Sequence, residues 1–224
     1  MVMKIPRLFF RWLCLLIVVP FLAACAGCNL IAAPLSIMAQ DQTKKVPAEY
    51  ADLSGKNLTI WVWADESLLF EYPVIQKDTA NHARYFLLQH VKNVKITDID
   101  AVDRFQRSNY DADTLPVPQV GRKFNADAVL FIQVSEFVTR PAGAPNLFQG
   151  RMNTQCALYD CKGDLPVESP NRKLWSGAVS VVYPERPVGL MDSNDLTIRS
   201  VLLKLFGEAL AKKFYEHQVP VGDK

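Results

Sequence analysis

Apolar residues along the chain fall into groups of strand length, separated by polar and Pro/Gly-rich stretches. Leu58 to Asp65 (LTIWVWAD) is rich in β-branched and aromatic residues, which predicts a buried strand. Asp127 to Thr139 (DAVLFIQVSEFVT) is apolar at both sets of alternating positions, which is typical of a strand inside a sheet. Two further runs, residues 151–160 and 173–183, predict a pair of antiparallel strands.

Apolar residues at helical spacing predict three longer helices around these strands. The first has a cap at Asp78 or Thr79 and continues to about Val91, and the second spans Asp98 to Asn109. The third covers about residues 196–217. With a short strand between the first two helices, the order is β-α-β-α-β-β-β-α. This order predicts an α+β fold (an α/β sandwich), in which helices pack on a mixed β-sheet.

The amino terminus follows a different pattern, MVMKIPRLFFRWLCLLIVVPFLAAC. Three basic residues are followed by an apolar run from about Trp12 to Leu22 and then by small residues before a cysteine. This is the layout of a secretory signal. A transmembrane anchor is the alternative, but a spanning helix needs about 20 apolar residues, and Pro20 interrupts this run early.

The end of this segment, Leu22-Ala23-Ala24-Cys25, resembles the lipobox of bacterial lipoproteins. The resemblance implies that a signal peptidase recognises Leu22, Ala23 and Ala24, and that the Cys25 thiol carries a diacylglyceryl group. It also implies that the freed amine of Cys25 is N-acylated. Cys28 does not fit, because Cys25 rather than leucine stands three places before it. Two or more acyl chains give stable membrane anchoring, so the membrane is an expected partner.

The residue after Cys25 is Ala26 and not aspartate, which by the sorting rule of lipoproteins implies the outer membrane, with the domain facing the periplasm. The chain then divides into four parts: a signal peptide at 1–24, a flexible tether at 25–54, a single periplasmic α/β domain at 55–219 and a tail at 220–224. The tether has little periodicity and two prolines. The domain, at about 165 residues, suits a single core.

Charge and motifs exclude several classes of function. Removing the signal peptide takes the formal net charge from +2 to −1, so the mature chain has no net positive charge for nucleic-acid binding. His82, His90 and His217 lack the i, i+4 spacing of a helical metal site. Neither a nucleophile elbow nor a phosphate-binding glycine loop occurs. We therefore expect no enzyme activity, no metal and no cofactor.

Cys156 and Cys161 leave two alternatives open. An oxidising periplasm favours a disulfide between them. Five residues of extended strand span about 16 Å, however, and a disulfide needs a Cα separation of about 5.5 Å, so the strand would have to fold back. The other alternative is a pair of free buried thiols.

Two loops are the best candidates for partner binding, because recognition residues concentrate on loops. The loop at 140–150 and the loop at 183–195 both place apolar or basic residues among prolines and glycines. Such residues mark an interaction site or pack back on the domain. The candidate partner-binding residues are Arg140, Leu147, Phe148, Arg186, Leu190 and Met191.

Three sequence strings, GKNLTIWVWAD, FNADAVLFIQV and RKLWSGAVSVV, together with the lipobox, resemble one superfamily of periplasmic domains. It includes the curli-secretion lipoprotein, the lipoprotein activator of a penicillin-binding protein and the amino-terminal domain of TolB. In that superfamily the equivalent of 125–128 enters the central strand, and the equivalent of 173–177 forms the strand after a hairpin. The resemblance implies this fold and a non-enzymatic role in the envelope, but it supplies no partner.

These observations predict an outer-membrane lipoprotein that binds an envelope protein as an accessory, activator or assembly factor, with oligomers possible. One alternative is a subunit of an outer-membrane secretion pore, which would need paired alternating segments of about 10 residues beyond those of the sheet. Another is a hydrolase that acts on the cell wall or on sugars.

Overall fold

A mixed five-stranded sheet is the centre of the fold. The structure, a computed structural model, describes residues 43–163 and 165–220, so the predicted signal peptide, the lipobox and residues 26–42 lie outside it. The chain divides into two units, of which the larger is residues 47–217. The smaller unit contains β1 (Thr43–Val46), which pairs with β7 (His217–Pro220) to form a two-stranded sheet; residues 218–220 of β7 also belong to the smaller unit.

The larger unit has the predicted α+β architecture. Its elements are β2 (Asn57–Ala64), α1 (Glu66–Glu71), α2 (Ile75–His90), β3 (Lys95–Ile96), α3 (Ile99–Ser108), α4 (Val117–Lys123), β4 (Ala128–Val138), β5 (Leu147–Asp160), β6 (Lys173–Gly189) and α5 (Asp195–Ala211). Two 3₁₀ helices, Ala112–Thr114 and Pro170–Arg172, lie in the connections. The sheet has the order β3-β2-β4-β5-β6, in which β2 is parallel to β3 and β4, and β4, β5 and β6 are antiparallel.

Local polar contacts set where β2 and β4 begin. Asn125 has a positive φ of 53°, a conformation that asparagine tolerates, and it turns the chain from α4 into β4. The Asp127 carboxylate then accepts the backbone N–H of Asn57 at 2.7 Å. This hydrogen bond, together with Lys162, lowers the pKa of Asp127. The two strands therefore start side by side, in the register Leu58 opposite Ala128.

Apolar side chains pack on both faces of the sheet. The larger cluster, which includes Leu58, Leu130 and Phe206, lies between the sheet and helices α2 and α5. Alternate residues of the strands, among them Trp61, face the other way into a smaller cluster beneath α3 and α4. Gly207 lets α5 approach α2, because a Cβ there would lie 2.6 Å from Phe86 Cδ2.

The structure differs from the predicted elements mainly at their ends. Helix α1, capped by the Asp65 carboxylate, was not expected, and α2 begins at Ile75 rather than at Asp78. Strand β5 begins at Leu147 and β6 continues to Gly189, because these two ends pair with each other. The last helix ends at Ala211 rather than near His217.

The predicted tether is too long at its carboxyl end. Leu53 is fully buried in the larger cluster. The Glu49 carboxylate accepts hydrogen bonds from Lys213 Nζ at 2.7 Å and from Trp175 Nε1 at 3.0 Å. Because these contacts join residues 47–54 to the sheet and to the end of α5, the larger unit begins at Pro47 and not at residue 55.

Cys156 and Cys161 are free buried thiols, so the disulfide alternative is wrong for this structure. Cys156 lies in the larger cluster and Cys161 in the smaller one. Strand β5 continues to Asp160, so the chain does not fold back between the two cysteines. Burial raises the pKa of Cys156 to about 11 and that of Cys161 to about 12.

Candidate interaction surface

Large apolar side chains are exposed at one end of the domain. Their exposed fractions run from 37% for Leu147 to 98% for Met191. We call this surface the apolar end; its residues are Phe70 at 92%, Leu147 at 37%, Leu190 at 51%, Met191 at 98% and Leu196 at 77% exposed.

Strand directions explain why these residues come together. Strands β2 and β4 are parallel, so α1 after β2 and the loop after β4 leave the sheet at the same end. The Tyr72 ring, which follows α1, packs edge-on against Phe137 near the end of β4, with centroids 4.9 Å apart. Leu147 lies opposite Gly189 at the matching end of the β5–β6 pair. Phe70 is therefore on the same end of the domain as Leu147 and the turn that begins after Gly189.

A polar network holds this end together beneath the apolar side chains. The Asp195 carboxylate accepts hydrogen bonds from Arg140 Nη2 at 2.6 Å, from Arg140 Nε at 3.2 Å and from Thr139 Oγ1 at 2.6 Å. The Arg140 hydrogen bond is the main cause of the lowered pKa of Asp195. Burial raises the pKa of Tyr72, whose hydroxyl contacts Thr139. The end of β4 is thereby fixed to the first turn of α5.

The turn between β6 and α5 has its own support. Asp192 N–H donates to the carbonyl of Gly189 at 3.1 Å, which closes a turn around Leu190 and Met191. The Asn194 side chain then accepts the N–H of Thr197 at 2.9 Å and caps α5. Leu190 and Met191 are thus held in an ordered turn with their side chains exposed.

The sequence-predicted binding residues divide into four groups. Leu147, Leu190 and Met191 are exposed and belong to the apolar end. Phe148 is only 3% exposed, so its prediction as a surface residue is wrong: it is in β5, and its ring packs under the Arg140 guanidinium at 4.5 Å. Arg140 itself forms the ion pair with Asp195.

Arg186 is exposed, but it lies within β6 and not in a loop. Sequence reasoning missed Phe70 and Leu196. The sequence does contain a signal for Phe70, because Asp65 caps the helix that carries it. Recognising Asp65 as a helix cap would have predicted α1. Leu196 was included in the predicted last helix, but nothing in the sequence separates it from the buried stripe of that helix.

A separate open cleft of about 810 Å³ lies beside α3 and α4. Its lining is polar and aromatic, with Tyr110, Asn109, Gln119 and Arg122 among the residues. Arg122 Nε donates to the carbonyl of Cys161 at 3.2 Å, which fixes that side chain on the wall. Among the described residues, the lining also includes Ser108, Asp111 and Lys123.

The histidines lie apart from this cleft. His90 stacks on Tyr215 with ring centroids 4.5 Å apart, and His82 Nδ1 contacts the carbonyl oxygen of Asp78 at 2.9 Å. Within residues 43–163 and 165–220, no group of three His, Cys, Asp or Glu side chains is arranged to hold a metal ion. The same described residues contain no helix that is both long and apolar enough to cross a membrane.

Comparison with known proteins finds solved structures with similar folds, but it assigns the chain to no family. No protein-family model matches the sequence, and no curated protein does either. Among solved structures, the PelC dodecamer from Paraburkholderia phytofirmans is similar at 14% identity, with 76% of this chain and 96% of that chain covered and a TM-score of 0.43. Lipoprotein GNA1162 from Neisseria meningitidis is similar at 16% identity, with 65% of this chain and 91% of that chain covered and a TM-score of 0.40.

The LpoB C-terminal domain from Salmonella enterica is similar at 17% identity, covering 58% of this chain and 87% of that chain, with a TM-score of 0.36. At these scores the similarities do not establish a common family or function. The superfamily named from the sequence therefore stays a resemblance.

Proposed function

We propose that this protein is a lipid-anchored accessory protein of the bacterial envelope, which binds another envelope protein through the apolar end. Cys25 is the proposed anchor, the outer membrane is the proposed location, and the domain faces the periplasm. In this proposal the protein binds and does not catalyse a reaction. The observation that carries it is the group of five large exposed apolar side chains at one end of an ordered domain.

Single exposed apolar residues are normal on protein surfaces and need no explanation. A group of large ones on neighbouring elements is more informative, since apolar patches at the surface mark sites of interaction. Phe70, Met191 and Leu196 are each more than three-quarters exposed. Leaving them in water costs free energy that a partner's apolar surface would recover, at about 25 cal/mol per Å² buried.

The ordered backbone of the apolar end is more consistent with a binding surface than with a mobile loop. The Arg140–Asp195 pair, the Asn194 cap and the turn closed by Asp192 hold the backbone that carries these side chains. A surface that is already ordered loses less conformational entropy when it binds, and this increases affinity.

Site-specific photo-crosslinking in cells tests the proposal. A photoreactive amino acid is placed at Met191 or at Leu196 in the full lipidated chain, and the matched control places it at Leu88, which is 47% exposed on α2. We expect one envelope protein to be joined at Met191 and Leu196 but not at Leu88. Equal crosslinking at all three positions, or none at Met191 and Leu196, would contradict the proposal.

The anchor is tested separately by the intact mass of the mature protein. We expect a chain that starts at Cys25 and carries the added mass of the diacylglyceryl and N-acyl groups. The Cys25→Ser variant should lose the lipid mass and leave the membrane fraction, whereas Cys28→Ser should keep both properties. A mature chain that starts elsewhere, without acyl groups, would contradict the proposed location.

A further inference from the structure

Five lysines lie at the end of the domain opposite the apolar end. Strand β2, with eight residues, and helix α5, with 17 residues, both connect the two ends, and each is about 25 Å long. Strand β2 begins at the lysine-rich end, and α5 finishes there. We call this surface the basic end; its lysines are Lys56, Lys92, Lys95, Lys212 and Lys213.

Hydrogen bonds join the segments that carry these lysines. The Lys213 carbonyl oxygen accepts the N–H of Tyr50 at 3.1 Å, and the Tyr50 hydroxyl accepts a hydrogen bond from Lys56 Nζ at 3.3 Å. The Lys56 carbonyl oxygen accepts the N–H of Lys95 at 2.9 Å. Lys92 lies in the same connection between α2 and β3. The basic end is therefore one surface built from three parts of the chain.

Three of the five lysines are available to an external partner. Lys56 and Lys213 are paired within the domain, the first with Asp52 at 2.8 Å and the second with Glu49 at 2.7 Å. The other three are exposed, and within the described part of the chain they form no ion pair; they are Lys92, Lys95 and Lys212.

The two ends of the domain have opposite charge. Segments 47–56, 91–95 and 211–216, which form the basic end, contain five lysines and three acidic residues, a net charge of +2. Segments 65–71, 139–147 and 189–196, which carry the apolar end, contain one arginine and five acidic residues, a net charge of −4. A negatively charged surface would therefore attract the first end and repel the second.

The chain also enters the domain at the basic end. The larger unit begins at Pro47, and the Lys213 carbonyl oxygen holds the N–H groups of Glu49 and Tyr50 at 2.9 and 3.1 Å. Cys25, the proposed anchor, precedes Pro47 by 22 residues, which span at most about 80 Å even when fully extended. A bilayer that holds Cys25 is thus a charged surface that always stays within reach of this end.

We propose that the basic end binds the anionic phospholipid surface of the membrane that holds the anchor, and that this contact turns the apolar end away from the bilayer. The inference rests on the proposed lipid anchor for its membrane, but the attraction between lysines and anionic lipids needs no acyl group. Each lysine near such a surface strengthens binding roughly fivefold. The contact is weak by itself and sets the orientation of a domain that the acyl chains already hold nearby.

Vesicle sedimentation tests the surface, with the mature chain from residue 25 carrying Cys25→Ser so that no acyl group is present. We expect binding at low salt to vesicles of equal parts phosphatidylglycerol and phosphatidylcholine, but not to phosphatidylcholine alone. High salt should remove this binding. The triple variant Lys92→Gln/Lys95→Gln/Lys212→Gln should weaken it roughly 100-fold, at about fivefold for each lysine.

The matched control, Arg104→Gln/Arg186→Gln/Lys204→Gln, removes three exposed positive charges outside the basic end. It should bind nearly as well as the parent chain. Equal losses in the two triple variants, equal binding to both kinds of vesicle, or no binding to phosphatidylglycerol would overturn the proposal. Because the tested chain has no anchor, these results are independent of the mass and fractionation tests of Cys25.

A fluorophore tests the orientation of the lipidated protein. Ala51→Cys and Leu196→Cys, each combined with Cys28→Ser, place it at the basic end and at the apolar end, while Cys156 and Cys161 stay buried. In vesicles that contain phosphatidylglycerol, energy transfer to a headgroup-labelled lipid should be stronger from residue 51 than from residue 196. Equal transfer, or a difference that persists in the triple lysine variant, would overturn the proposed orientation.

Discussion

Replacing Arg172 tests how the connection between β5 and β6 is held in place. The Arg172 side chain is completely buried. Its five N–H groups all donate to backbone carbonyl oxygens: Nε to Pro166 at 2.9 Å, Nη1 to Asp160 at 3.2 Å and to Lys162 at 2.9 Å, and Nη2 to Gly163 at 3.0 Å and to Leu165. Nη1 also lies 3.6 Å from the Asp160 carboxylate.

The expected loss follows from this geometry. Arg172→Leu keeps most of the buried volume but removes every donor, and hydrogen bonds to a charged group each contribute about 1.5–3 kcal/mol. The individual values do not add, because the carbonyls of Lys162, Gly163 and Leu165 belong to exposed residues and can turn to water. We expect the free energy of unfolding to fall by about 3–5 kcal/mol. Arg172→Lys offers three donors for five carbonyls and should lose about 2 kcal/mol.

Urea unfolding followed by tryptophan fluorescence measures both variants. In the same experiment, Arg186→Leu removes an exposed arginine from β6 and should change the free energy of unfolding by less than about 0.5 kcal/mol. A loss below about 1 kcal/mol for Arg172→Leu would falsify the role given to this side chain. Equal stability of the leucine and lysine variants would show that the number of donors does not matter.

Three further variants or treatments test other parts of the structure. Gly207→Ala places a Cβ 2.6 Å from Phe86 Cδ2 and 2.8 Å from the His82 carbonyl oxygen, so it should lower the free energy of unfolding by about 1–3 kcal/mol in thermal or urea unfolding. A neutral result would mean that α2 and α5 separate easily. Asp195 has a lowered pKa in the folded state, so its contribution to stability is present above the unfolded pKa, near 3.8, and is lost as the pH falls through the lower folded value. Because this carboxylate is half-exposed, Asp195→Asn should cost only about 0.5–1 kcal/mol at pH 7, and the difference from wild type should disappear in acid, as pH-dependent unfolding would show. Cys156 and Cys161 should resist iodoacetamide in the folded protein and react in urea, since burial raises their pKa values to about 11 and about 12. Peptide mapping by mass spectrometry would detect rapid labelling of either thiol in the native state, which would contradict their burial.

The elements predicted correctly from the sequence are those in which local composition and periodicity indicate the same type of secondary structure. Strands β2 and β4 were predicted within one residue of their ends, because most residues on both faces of each strand are apolar and buried or half-buried. Helix α3 was predicted for a similar reason: its apolar residues repeat at helical spacing behind an Asp98 cap. The fold class followed from the order of these elements.

The ends of β5 and β6 were not predictable in the same way. Gly150 interrupts the pattern of alternating residues and was taken for part of a loop. In the structure it lies within β5, where a Cβ would meet Leu202 Cδ1 at 2.5 Å, so the missing side chain makes room for α5. That contact joins residues about fifty positions apart, and a local pattern contains no information about it.

The candidate site was predictable only in part. Leu190 and Met191 were identified because they are apolar residues in a polar loop. Phe70 and Leu196 reach the same end only because β2 and β4 are parallel and α5 is fixed to β4 by Arg140 and Asp195. Phe148 was predicted to be exposed, but tertiary contacts bury it: the guanidinium of Arg140 covers its ring.

The pairing of β1 with β7 determines what a reporter fused to the carboxyl terminus would measure. The 17 residues between Cys25 and Thr43 span at most about 60 Å, even when fully extended. Since β7 lies beside β1, the chain that leaves Pro220 is under the same limit. In the proposed lipidated form of the protein, a tag, protease site or fluorophore placed just after residue 220 would therefore stay within roughly that distance of the bilayer.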